Sequence, residues 1–136
     1  MTDNKVYVDQ NGNEMVMVNR SDGLGVSEIK KLGIKQLIIS TEKNPVVSKR
    51  AEKINIPYIQ GVEKKEKYLL KYCNDKNIDI KDVAFIGNDL NDLKVMEVVG
   101  LPMCPSDSAG TIKKISKIVL QSAGGEGIVR EILSLI

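Results

Sequence analysis

The sequence predicts an α/β domain built on a mostly parallel sheet, and three observations carry that reading. The short runs Leu37-Ile38-Ile39 and Val83-Ala84-Phe85-Ile86 lack polar alternation, as expected of parallel strands covered on both faces. Stretches of helical period fall between such runs. The connections are short, with Gly, Asn, Asp and Ser at the joints. A chain of 136 residues can bury a core without a disulfide or structural metal. We read residues 1–136 as one domain with neither internal repeat nor linker.

Each element has its own signal. Val6 to Val18 alternates about Asn11-Gly12, which predicts a hairpin of Lys5–Asp9 against Asn13–Val18 closed by a type I′ turn. Ser21 or Asp22 caps a helix whose apolar positions are Leu24, Val26, Ile29 and Leu32, ending at Gly33. The strand Gln36–Ile39 follows, then a helix with Asn44 as N-cap, Pro45 at its first position and Val46, Val47, Ala51 and Ile54 as its buried stripe. The alternation repeats with a strand Ile56–Ile59, a helix Glu63–Lys76 carrying Leu69, Leu70 and Cys73, and the strand Val83–Ile86. Beyond Gly87 we expect a helix Asn91–Val98, a strand Leu101–Cys104, a helix opened by Ser106 or Asp107, a strand Ile118–Leu120 and a last helix from Gly127.

Composition excludes more than it assigns. The formal net charge is +2, from 20 basic and 18 acidic residues spread along the chain, so nothing points to nucleic acid or an anionic membrane. No apolar stretch approaches 18 residues, and the two cysteines, Cys73 and Cys104, have no metal or disulfide spacing; both facts fit a reduced, cytoplasmic setting. There is no histidine, which removes Ser-His-Asp and Cys-His nucleophiles and imidazole ligands together. Any chemistry rests on carboxylates, lysines, hydroxyls and backbone amides.

In a parallel α/β sheet, ligands bind outside the carboxyl ends of the strands. That rule selects Ser40-Thr41-Glu42 and Gly87-Asn88-Asp89-Leu90-Asn91-Asp92. Asn88, Asp89, Asn91 and Asp92 supply hard oxygen donors suited to Mg²⁺, although the same residues are common helix caps. Ser40 and Thr41 offer hydroxyl and amide donors to a phosphate at a helix N-terminus, or cap that helix. Lys65 lies in Glu63-Lys64-Lys65-Glu66-Lys67, a run that by itself reads as a solvated face.

Taken in order, Ile38-Ile39-Ser40, then Gln60-Gly61-Val62 with Lys65, then Ile86-Gly87-Asn88-Asp89-Leu90-Asn91-Asp92 resembles the second, third and fourth motifs of haloacid dehalogenase phosphatases. Val6 to Glu14, Asn19 to Gly25, Pro45-Val46-Val47, Val99-Gly100-Leu101-Pro102 and Gly124-Gly125 with Gly127 and Val129-Arg130-Glu131 resemble a narrower, capless branch. That branch contains 3-deoxy-manno-octulosonate 8-phosphate phosphatases and the C-terminal module of some N-acylneuraminate cytidylyltransferases. The resemblance covers essentially the whole chain and implies a Rossmann-like sheet flanked by helices, a projecting hairpin and no cap domain.

By motif position, the resemblance implies phosphate binding by Ser40, Thr41 and Lys65, a Mg²⁺ side formed by Asn88, Asp89 and Asp92, and substrate or structural roles for Asp22 and Arg130. It also implies a sugar-acid phosphate substrate and a homotetramer joined through its hairpins. In relatives, an aspartate on the first strand attacks phosphorus and a second, two residues on, serves as acid and base. No Asp-x-Asp segment occurs in this sequence. Met1-Thr2-Asp3 matches the run just after that motif, so the expectation is an N-terminally truncated domain without the motif-bearing strand, inactive by itself. Asn88 stands where many relatives carry aspartate, and Ser21 where they carry arginine. The competing reading is a noncatalytic oligomerisation or regulatory module of a cytidylyltransferase.

Overall fold

The computed structural model describes all residues 1–136, which divide into two compact units: 1–61 with 122–136, and 62–121. No helix is long and apolar enough to cross a membrane.

The first unit opens with the hairpin β1 (Tyr7–Val8) and β2 (Glu14–Met15), in register Tyr7↔Met15 and Val8↔Glu14. Its strands are shorter than expected and its turn is of another type. The Gly12 amide donates to the Asp9 carbonyl at 3.0 Å, and Gly12 alone takes a positive φ, +80°. Asp9 and Asn13 then pair across a three-residue loop, which is a turn followed by a left-handed bulge residue. The reason lies in Asp9, whose Oδ1 accepts from the amides of Asn11 at 2.8 Å and Asn13 at 2.9 Å. Those bonds favour the longer loop over a two-residue Asn-Gly turn.

Helix α1 (Arg20–Lys31) is capped by Asn19, whose side chain accepts from the Ser21 amide at 2.9 Å, rather than by Ser21 or Asp22. Its buried face is Asp22, Gly25, Val26 and Ile29, while Leu24 and Leu32 are exposed. Strand β3 (Ile38–Ile39) pairs in parallel with β4 (Tyr58–Ile59), and α2 (Val46–Lys53) lies between them in sequence. The cap position of α2 is Pro45 rather than Asn44, although the Asn44 side chain accepts from the Val46 amide at 3.1 Å. Helix α6 (Ile128–Leu133) completes the unit by packing on α1.

The second unit runs α3 (Lys65–Asp75), β5 (Ala84–Ile86), α4 (Leu93–Val98), β6 (Leu101–Cys104), α5 (Gly110–Ile115) and β7 (Ile118–Val119). Its parallel sheet has the order β5-β6-β7. Met96, Cys104 and Ile112 form a buried cluster against which Phe85, Leu93, Ala109 and Ile115 pack.

Full burial of the parallel strands is not observed. Phe85 faces the cluster, but Ala84 and Ile86, on the opposite face of β5, are exposed. Helices α4 and α5 pack on the sheet and α3 packs on α4, so the unit's helices cover one face only. Helix α5 also starts later than Ser106 or Asp107, because Ser108 donates to the Pro105 carbonyl at 3.2 Å and closes a turn first.

Candidate functional site

Lys65 has lysines on either side, and burial separates it from them. It lies on the same helical face as Leu69 and Cys73, the two other buried residues of α3. The spacing 65, 69, 73 therefore places an ammonium on an apolar stripe, where it needs a partner. The partner is Asp92, with Nζ to Oδ1 at 2.5 Å and both side chains buried, at 7% and 6% exposure. The second oxygen of Asp92 accepts from the Asn88 amide at 3.0 Å. One carboxylate thus anchors the helix-borne lysine and fixes the backbone of the loop after β5.

Two glycine and backbone details allow that geometry. A Cβ on Gly87 would lie 2.6 Å from the Asp92 Cβ and 2.6 Å from the Met96 sulfur, so only glycine lets β5 exit so close to Asp92. The Asp92 amide donates to the Asp89 carbonyl at 2.8 Å in a short 3₁₀ turn, Leu90–Asp92. Asn88 and Asp89 are exposed, although one Asp89 oxygen accepts from the Leu90 amide at 2.7 Å. The Asn88 carbonyl is held from the other side by the Ala109 amide at 3.0 Å.

Ser40 and Thr41 belong to the first unit, in the segment leaving β3. The Ser40 amide donates to the Ile59 carbonyl at 3.0 Å, and its Oγ accepts from the Glu42 amide at 3.1 Å. Glu42 accepts from the amides of Lys43 at 2.7 Å and Asn44 at 2.8 Å. Glu42 and Asn44 thus hold the amides of Lys43, Asn44 and Val46 ahead of α2. The Ser40 hydroxyl keeps its proton to donate.

Asp22 and Arg130 separate sharply. Asp22 is wholly buried, and its Oδ1 accepts from the Val129 amide, in the first turn of α6, at 2.9 Å. It caps a neighbouring helix across the sequence, a contact that sequence periodicity does not reveal. Arg130 is exposed. No group of three or more His, Cys, Asp or Glu side chains gathers to hold a metal. The sequence reading missed Ser108, which is buried with an unpartnered hydroxyl and which no sequence signal marked.

The sequence model for haloacid dehalogenase-like hydrolases matches residues 27–132. N-acylneuraminate cytidylyltransferase A of Danio rerio is 30% identical over 133 residues, 96% of this chain and 31% of that protein. The chain thus spans under a third of the cytidylyltransferase it matches. The 3-deoxy-D-manno-octulosonate 8-phosphate phosphatase of Escherichia coli K12 is 31% identical over 137 residues, 100% of this chain and 73% of that enzyme. Among solved structures, one from Streptomyces avermitilis superposes with TM-score 0.97 at 39% identity, covering 99% of this chain and 78% of that one. The Moraxella catarrhalis 3-deoxy-D-manno-octulosonate 8-phosphate phosphatase, solved with magnesium, phosphate and its sugar acid, gives TM-score 0.93 at 29% identity, covering 98% and 78%.

Proposed function

We propose, starting from the fact that this chain belongs to the haloacid dehalogenase-like hydrolases, that it carries the phosphate-holding and Mg²⁺-holding side of a phosphatase for a phosphorylated eight-carbon or nine-carbon keto sugar acid. The observation that carries the reading is the buried Lys65–Asp92 pair tied to the Asn88 amide. A buried ammonium costs several kcal/mol of desolvation, and for phosphoryl chemistry it offers a fixed positive charge for the transferring oxygens.

The loop after β5 fits a weakly held Mg²⁺. The exposed Asn88 and Asp89 side chains are hard oxygen donors, with water left to fill the other positions. We assign Asp92 to support rather than direct ligation, since both its oxygens are engaged. When bound, such a cation neutralises charge on the phosphoryl oxygens. Asp22 we assign to structure, holding α6.

Residues 1–136 contain no Asp-x-Asp, so by themselves they supply no carboxylate nucleophile, and without histidine nothing activates the Ser40 hydroxyl in its place. The test is phosphate release from 3-deoxy-octulosonate 8-phosphate, with and without Mg²⁺. It compares the 1–136 chain, the chain extended upstream by a strand bearing the two aspartates, and the extended chain with Lys65→Ala. We expect turnover only from the second. Turnover by the 1–136 chain that disappears on changing Asp3 would show that the motif has been misplaced. An inactive extended chain would favour the second reading, a noncatalytic module of a cytidylyltransferase, which the Danio rerio relative supports.

The hairpin supports self-association, and we propose a homotetramer. Val6, Tyr7, Val8, Met15 and Met17 are exposed together, while Val16 and Val18 are half-buried. A monomer by light scattering at micromolar concentration would overturn this.

A further inference from the structure

Ser108 is 7% exposed, and its hydroxyl has no hydrogen-bond partner. Buried hydroxyls without partners are uncommon and cost stability, so each calls for a reason. Capping is not that reason, because the cap position of α5 is Ala109 and Ser108 precedes it.

Its position does supply a reason. Ser108 closes the Pro105 turn through its own amide, and the next residue donates its amide to the Asn88 carbonyl at 3.0 Å. The turn 105–109 is therefore the brace on one side of Asn88, as Asp92 is on the other. We propose that Ser108 is a positioning residue for the Asn88–Asp89 loop, and that its hydroxyl acquires its hydrogen-bond partner when that loop takes up a divalent cation and its water shell. This rests on the reading of the loop as a cation site.

Such a group has a signature that a merely structural residue lacks. Removing an unpartnered buried hydroxyl is neutral or stabilising to the metal-free fold, whereas one lost hydrogen bond in the loaded state weakens binding about fivefold. The experiment measures thermal unfolding without metal and Mg²⁺ titration by amide shifts of Asn88 and Asp89, for the native chain, Ser108→Ala and Ser116→Ala. Ser116 is the control: its hydroxyl is satisfied by the Ile112 carbonyl at 2.8 Å in the same unit. We expect Ser108→Ala to unfold no earlier than the native chain while binding Mg²⁺ about fivefold more weakly, and Ser116→Ala to unfold earlier with unchanged binding. Unchanged Mg²⁺ binding in Ser108→Ala, or earlier unfolding of that variant, overturns the proposal while leaving the cation site intact. Failure of the native chain to shift at Asn88 or Asp89 at millimolar Mg²⁺ overturns both.

Discussion

Two loops leaving parallel strands in this chain hold their amides in different ways. In the segment after β3 nearby side chains take the amides, Ser40 accepting from Glu42, Glu42 from Lys43 and Asn44, and Asn44 from Val46, while Gly61 and Gln60 donate to the Glu42 and Lys43 carbonyls. The segment after β5 is organised from a distance, by a lysine 27 residues upstream and an alanine amide beyond β6. Amides capped by side chains of their own loop stay capped when a distant side chain changes. A loop whose anchor is a buried ion pair depends on each partner, and that dependence lets one helix and one loop be set against each other.

The widest gap between the loops should appear on removing Lys65. Lys65→Ala leaves Asp92 buried and unpaired, which should cost about 3–5 kcal/mol, read as a fall in the denaturant midpoint. Replacing both members, with Lys65→Met and Asp92→Leu, should recover much of that loss. A Lys65→Ala loss below about 1 kcal/mol, typical of a solvent-exposed pair, would break the contrast.

Gly87→Ala sharpens the same contrast on the backbone side. The added methyl meets the Asp92 Cβ and the Met96 sulfur at 2.6 Å, and overpacking of that kind costs about 1–3 kcal/mol. Denaturant unfolding of the variant with an unshifted midpoint would show that the loop exit has slack.

Mg²⁺ affinity should be weak, with calorimetry giving a dissociation constant above about 10 micromolar for a site with so few carboxylates. Asp89→Ala should abolish what binding there is. Tighter binding, or indifference to Asp89, would mean that ligands outside the loop after β5 do the holding.

At the first loop the effects should be small. Glu42→Ala removes two exposed hydrogen bonds and should cost about 1 kcal/mol, by thermal unfolding, with no change in Mg²⁺ binding. A change in that binding would overturn the local role given to Glu42.

The smallest effect lies in the hairpin. The Asn13 side chain, followed by its amide, holds the Asp9 carboxyl below its ordinary value. A carboxylate lowered by folding contributes stability above its unfolded value, and that contribution is lost as pH falls through the folded one. Amide shifts of Asn11 and Asn13 should therefore titrate only below the ordinary aspartate range, and a midpoint at or above it would contradict the turn geometry.

The sequence by itself determined the element order, with strands at Ile38–Ile39 and Tyr58–Ile59, and the local bond from Asn44 to the start of α2, because hydrophobic period and capping chemistry act over a few residues. It also nominated Asn88 and Asp89 from their place at a strand end, and Lys65 by resemblance. Tertiary structure alone decided that Lys65 faces inward among lysines, that Asp92 turns both oxygens to the protein, and that Asp22 caps α6 over a separation of 107 residues. It decided as well that Ala84 and Ile86 stay exposed, since covering a strand takes a second layer that the strand's own sequence cannot supply. The division follows from range: local hydrogen bonds and periodicity are written in neighbouring residues, whereas the partner of a buried charge is fixed only when distant segments pack.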